Sequence, residues 1–330
     1  MKKHKRIIGL IISLFCLVGC SSPKTEFTHI NVYSPDGAPA LGLSYLMSKE
    51  LFDNQASYEI IDSSLITTYV TGENPRADIA IIPVNIALTK QEIYKNYQIL
   101  GSITHGNLYI LSKENVEIST TNLSSLIGES VGVININNVP GIFSRIILDK
   151  NNIPYNIVKN DGTIVPDKVN LIGIEASQIG VDESMKYYVA AEPAASLKVK
   201  MLSAKGLKMV GSLQDLYSED KTYLQAIVVA RRNLIANNKL LVDEVVSQFK
   251  ETKNYLENCD VNEVIRNVQS HLTEGLAPTF NDKNLNAQTI KNCNVFFKEG
   301  REIKELLNQS KLELSAYAKV LEDISNYIYE

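Results

Sequence analysis

The residues best suited to chemistry sit in four short loops: Asp36-Gly37-Ala38-Pro39, Pro83-Val84-Asn85, the stretch Asn135 to Pro140 containing Asn138, and Glu192-Pro193. Each follows an apolar, β-prone run and precedes a helix-like one. Asp36 and Glu192 would supply the two carboxylates of an acid–base pair, but no companion motif supports turnover. The chain contains no H-E-x-x-H, G-x-S-x-G, C-x-x-C, Walker loop or G-x-G-x-x-G. His29, His105 and His271 are far apart in sequence, and a lone histidine is ordinarily a hydrogen-bonded structural group. No spacing resembles a zinc site, so no metal or cofactor is expected, and the chain does not read as an enzyme. Carboxylates, amides and helix-initiating N–H groups just past strand ends suit noncovalent capture of a small molecule.

Such loops need strands that end at them. His29 to Tyr33 alternates and stops at Ser34-Pro35-Asp36-Gly37, a strong turn signal, after which Pro39 suits the first turn of a helix running to about Phe52. Strands are expected at Tyr58 to Ile61, Asp78 to Ile82, Tyr97 to Ile103, Asn107 to Ser112, Val131 to Ile134, Lys168 to Ile172, Tyr187 to Ala190, Lys208 to Leu213 and Leu224 to Ala230. Helices read at Ser63 to Thr71 and Gly141 to Lys150. From Asn233 onward the pattern is helical, with stripes through Leu241, Val245, Val246 and Phe249, and through Val261, Val264, Ile265, Val268 and Leu272. The run after Gly300 predicts one long amphipathic helix, or two with a break near Asn308. Alternating strands and helices imply an α/β fold of mixed sheets flanked by helices, with a helical C-terminal segment. Two lobes fit this grammar, with crossovers around Lys113-Glu114-Asn115 and Ser218 to Lys221.

The N-terminus carries a different signal. Lys2, Lys3, His4, Lys5 and Arg6 precede an uncharged twelve-residue run, Ile7 to Val18. A bilayer-spanning helix needs ~20 apolar residues, whereas twelve suit the h-region of a secretory signal. Leu17-Val18-Gly19-Cys20 then resembles the bacterial lipobox. That resemblance implies a signal peptide over 1–19, lipidation of Cys20 with acyl chains such as palmitate, and a tether over 20–28. The expected place is outside the cytoplasm, anchored to the membrane by lipid. The mature chain would carry 29 basic against 37 acidic residues, a balance that gives nucleic acid no electrostatic footprint. Cys259 and Cys293 are too few for a disulfide framework; outside the cytoplasm they could pair, and the favoured reading is two buried free thiols.

In order and spacing, Pro35 to Leu41, Asp78 to Asn85, Gly106-Asn107-Leu108-Tyr109, Tyr188 to Pro193 and Tyr223-Leu224-Gln225-Ala226 resemble the solute-binding lipoproteins of ABC importers. The resemblance is closer to type II binding proteins of the thiamine-precursor, alkylsulfonate, taurine and nitrate group. It implies a two-lobed type II periplasmic-binding-protein fold, with lobe one at 29–112 and 228–330 and lobe two at 113–227. It also implies a monomer that closes on a small molecule and docks on an ABC permease driven by its ATPase. Carried over, Asp36, Ala38, Pro39, Pro83 and Asn85 would line the cleft from lobe one, and Asn138 and Glu192 from lobe two. His105, Asn107, Tyr223 and Gln225 would lie near the hinge. The loops lack Lys and Arg, which favours a neutral or weakly cationic ligand such as a pyrimidine-like thiamine precursor. A sulfonate, taurine or nitrate receptor of the same type is the alternative; an enzyme or a surface adhesin on this fold is the more distant one.

Overall fold

The computed structural model describes residues 29–48, 55–159, 162–218 and 222–330. The signal segment, Cys20 and the tether lie outside the described residues. The first sheet is built from β1 (Ile30–Pro35), β2 (Ala56–Ile61), β3 (Ile79–Pro83), β4 (Tyr97–His105), β11 (Leu224–Arg231) and β12 (Val295–Glu299). The second holds β5 (Leu108–Ser112), β6 (Ser130–Ile134), β7 (Tyr155–Ile157), β8 (Val169–Ile174), β9 (Tyr187–Ala191) and β10 (Lys208–Ser212). Their orders are β12-β4-β11-β3-β1-β2 and β10-β5-β9-β6-β8-β7.

Each sheet joins a parallel half to an antiparallel half. β1 pairs in parallel with β2 and β3, while β11 runs antiparallel to β3 and β4. In the second sheet β6 pairs in parallel with β8 and β9, while β5 runs antiparallel to β9 and β10. Central β3 is buried along Ile79 to Ile82, because helices cover both faces and leave no polar side for alternation. Helix Lys239–Asn258 lays Val242, Val245, Val246, Phe249 and Leu256 against one face of the first sheet. Full burial of side chains of this size stabilises by ~1.5–3 kcal/mol each. In that stripe Val242 takes the core position and Leu241 is half-buried.

The structure corrects four boundary expectations. The first crossover is at Gly106-Asn107, not around Lys113-Glu114-Asn115: residues 108–112 form β5, whose hydrogen bonds go to β9 and β10. Lobe one resumes at Leu224, since all of β11 pairs with β3 and β4. Over its described residues, the expected helix after Pro39 is two short pieces, Ala38–Leu41 and Ser44–Ser48. The C-terminal run is α-helical only over Lys304–Leu314, passing unbroken through Asn308, with a single 3₁₀ turn later at Ser325–Tyr327. Beyond Leu314, Leu321, Ile324 and Ile328 remain buried. There the backbone bonds outward, Leu321 N–H to the Leu88 carbonyl and Tyr329 N–H to the Ile99 carbonyl. β7 and β12 add two strands the sequence pattern had not signalled.

Candidate functional site: the inter-lobe cleft

The C-terminal ends of β1 and β3 in one lobe and of β6 and β9 in the other open onto a shared cavity of about 240 Å³. Lobe one lines it with Pro35 to Pro39, Ser63, Pro83, Thr104 and Thr279. Lobe two supplies Ile134, Asn135, Val139, Pro140 and 191–194, while Asn107, Gln225 and Ala226 form its base near the crossovers. A larger depression of about 530 Å³, bordered by Lys253, Leu256, Ile290 and Phe296, receives nothing from the second lobe.

The first wall is the turn after β1. Gly37 has φ +100°, a left-handed conformation that costs a residue with a Cβ far more than glycine. This turn lets Asp36 receive hydrogen bonds from Gly37 N–H at 2.8 Å, from Thr279 N–H at 2.9 Å and from the Thr279 hydroxyl at 2.6 Å. Asp36 therefore pins residue 279 to the cleft rim instead of capping the helix after it. On the facing lobe, buried Glu192 receives Ser196 N–H at 2.9 Å, the Ser196 hydroxyl at 2.6 Å and Asn292 Nδ2 at 3.2 Å. Hydrogen bonds to charged acceptors contribute ~1.5–3 kcal/mol each, so both carboxylates are committed to holding loops.

The base of the cleft is the crossover itself. Asn107 N–H donates to Gln225 Oε1 at 3.1 Å, Leu108 N–H to Gln214 Oε1 at 3.1 Å, and Asn107 Nδ2 to the Cys293 carbonyl at 3.2 Å. Gly106 must be glycine here, since a Cβ would come within 2.7 Å of the Tyr223 ring and 2.9 Å of Gln214 Cβ. Residues 292–294 brace this point from lobe one. The Asn292 carbonyl accepts from the Tyr109 hydroxyl, and Asn294 Nδ2 donates to the Gly106 carbonyl.

Of the eleven residues expected at the cleft, Asp36, Ala38, Pro39, Pro83, Asn107, Glu192 and Gln225 line the cavity; Asn85, His105, Asn138 and Tyr223 do not. Asn85 is half-buried on helix Val84–Thr89 and is not among the cavity-lining residues, although its neighbour Pro83 is. His105 is fully buried under the base, bonded to the Ser102 hydroxyl at 3.0 Å and stacked on Phe296 with ring centroids 3.9 Å apart. Burial, helped by the nearby Lys298 charge, pushes its pKa down to about 3, so the imidazole is neutral. Asn138 is exposed at the N-terminus of helix Val139–Lys150, and its neighbours Asn135 and Val139 reach the cavity instead. Tyr223 is buried, stacked on Phe143 at 4.0 Å, where it cements the second crossover. Thr104 and Thr279 are cavity residues that the loop signals did not reveal, whereas Asn135 belongs to the marked Asn135 to Pro140 loop, in which Asn138 was the expected contact.

No family model matches the chain, and no curated protein matches it. Solved structures do. An ABC transporter from Parabacteroides distasonis superposes with TM-score 0.69 at 17% identity, over 92% of this chain and 99% of that one. The periplasmic aliphatic sulphonate binding protein SsuA of Escherichia coli gives 0.61 at 15% identity, over 92% of each chain. The fold is that of periplasmic solute-binding proteins. The periplasmic nitrate-binding protein NrtA from Synechocystis shares it more loosely, at TM-score 0.56 and 11% identity, over 92% of this chain and 84% of that one. This likeness covers nearly the whole described chain, in agreement with the expected two-lobed α/β architecture. Cys259 and Cys293 are both free thiols; Cys293 is fully buried as expected, but Cys259 is partly exposed at the end of helix Lys239–Asn258.

Proposed function

We propose that this protein is an extracytoplasmic, lipid-anchored solute-binding protein that captures a small organic molecule between its lobes and delivers it to an ABC import permease. The observation that carries this reading is the cavity walled by strand-end loops of both sheets, with each of its carboxylates already held by three protein donors. Satisfied carboxylates are poor general acids or bases but good scaffolding, which favours a receptor over an enzyme. Asp36, Ala38, Pro39 and Pro83 would contact the solute from lobe one, Glu192 from lobe two, and Asn107 and Gln225 from the base. No helix among the described residues is long and apolar enough to cross a membrane. In this reading Cys20 supplies the membrane attachment and the protein works as a monomer.

The cavity lining contains no Lys, Arg or His, so a neutral molecule suits it better than a sulfonate or nitrate, and an aminopyrimidine of the thiamine-precursor kind is a candidate. Two experiments test the reading. Cys20→Ser should shift the protein from the membrane fraction to the soluble fraction of its producing cells; unchanged membrane association refutes the lipid anchor. A thermal-shift screen against pyrimidines, thiamine, taurine, alkylsulfonates and nitrate should raise the melting temperature with one compound and leave that compound chemically unchanged. Turnover of the compound refutes the receptor assignment.

A further inference from the structure

We infer that Gln225 is the specificity-determining residue of the cleft, donating from its side-chain nitrogen to an uncharged ligand that presents a carbonyl or ring-nitrogen acceptor. This rests on the receptor reading above and names the chemistry of the same cavity.

Gln225 occupies an irregular position in the sheet. Leu224 pairs with His105 and Ala226 with Thr104, so the partner strand offers no residue opposite Gln225, and the ladder shifts register there. A bulge of this kind re-aims one side chain and is favoured beside binding sites. The half-buried side chain lines the cavity. Its amide cannot be read either way round, because Oε1 accepts from the backbone N–H of Asn107 at 3.1 Å and an N–H requires an acceptor opposite it. The remaining end is therefore the NH₂, and it has no protein partner among the described residues. The hinge backbone thus fixes a donor at the base of the cleft.

The ligand's lack of charge follows from the walls. An anion would meet Asp36 and Glu192 with no cation among the lining residues, and desolvated anions recruit Arg or Lys. Helix N-termini offer the other way to hold an anion, yet here they are spent or blunted. Helix Ala194–Leu202 already has Glu192 on its Ser196 N–H, and Pro140 removes a donor from the first turn of Val139–Lys150. Against a full cation, both carboxylates already accept three protein hydrogen bonds of the roughly four a carboxylate can take, which leaves each little room for a close charge-assisted contact.

The test is equilibrium dialysis of the purified chain, Gln225→Met and Gln225→Glu against a deproteinised bacterial extract. The extract is spiked with cytosine, 4-amino-5-hydroxymethyl-2-methylpyrimidine, methanesulfonate, nitrate and thiamine, and retained compounds are identified by mass spectrometry after denaturation. Gln225→Glu keeps the acceptor for Asn107 N–H, so it preserves the hinge while replacing the donor with an anionic oxygen; thermal melts verify both folds. The expected result is retention of an uncharged compound by the wild type, an affinity loss of about tenfold in Gln225→Met, and a larger loss in Gln225→Glu. Retention of methanesulfonate, nitrate or thiamine in preference to uncharged compounds overturns the inference while leaving the receptor reading standing. An uncharged compound held equally by folded variants also overturns it. If the wild type retains nothing, the receptor reading itself fails and the inference falls with it.

Discussion

His105 makes the stability of this protein pH-dependent in a calculable way. The ring is fully buried between Ser102 and Phe296, with Lys298 nearby and the Asn294 backbone carbonyl only partly offsetting the cost of charge. Its pKa of about 3 in the fold lies below the ~6.5 of an unfolded chain. Between those values the unfolded state binds the proton and the native state does not, so stability falls as pH falls. The full contribution is present above pH ~6.5 and is lost progressively as pH drops toward 3. At ~1.36 kcal/mol per pH unit, lowering the pH from 6.5 to 5 should remove about 2 kcal/mol. Urea unfolding followed by far-UV circular dichroism is suitable, since the chain has no Trp. Other groups titrate too, so the decisive quantity is the difference between wild type and His105→Gln, which keeps a polar partner for Ser102 but cannot be protonated. The variant should be less stable at pH 7 yet lose about 2 kcal/mol less than wild type between pH 6.5 and 5. Equal losses in the two proteins, or an imidazole that titrates near pH 6.5 by NMR, would refute the reasoning.

Three further predictions follow from single contacts. Asn292→Ala removes the amide that joins Glu192 to lobe one; it should cost about 1.5–3 kcal/mol in urea unfolding and speed hydrogen exchange in residues 292–294. Gly141→Ala would place a Cβ 1.8 Å from the Ile136 carbonyl oxygen, so it should cost about 3 kcal/mol and lower the melting temperature, because that clash is with backbone that has no rotamer to escape into. Iodoacetamide should label partly exposed Cys259 in the native protein and spare Cys293 until urea unfolds the chain. Burial raises both thiols, Cys293 far more because it is completely enclosed.

The sequence shows the cleft loops because strand ends are punctuated. Pro35-Asp36-Gly37, Pro83 and Glu192-Pro193 interrupt apolar runs, and in this fold those interruptions line the inter-lobe cavity. Thr279 carries no such mark: it reaches the site only because Asp36, 243 residues earlier, accepts its N–H and hydroxyl. Thr104 is hidden for the opposite reason, lying inside a strand whose other residues are nearly all buried. The first crossover was misplaced because β4 and β5 are separated only by Gly106-Asn107, so nothing in composition says that the two strands join different sheets. Periodicity after Leu314 predicts both burial and helix; only the burial is realised, since the backbone finds partners at Leu88 and Ile99 instead.

The same residues explain how closure would be balanced. Two covalent crossings join the lobes; among the described residues a hydrogen bond from Lys200 Nζ to the Lys283 carbonyl also links them, along with two larger noncovalent braces. One is the 292–294 loop. The other is helix Lys304–Leu314 with its following turn, where Glu313 receives Lys150 and the Tyr217 hydroxyl, and Tyr317 bonds Asp149 beneath Arg145. Lys150 Nζ to Glu313 is 2.9 Å, but both groups are reached by solvent, and such a pair is worth about 0–1 kcal/mol. Separating the lobes at the solvent-reached Lys150–Glu313 pair therefore costs little, whereas the 292–294 loop, bonded to buried Glu192 and Asn107, and the buried β-ladders within each lobe cost more to disturb. A solute bound by both lobes needs only a few kcal/mol of preference for the closed arrangement to populate it. Gln225 couples the two events, because the backbone N–H that orients its amide belongs to Asn107, the residue at which the chain crosses from one lobe to the other.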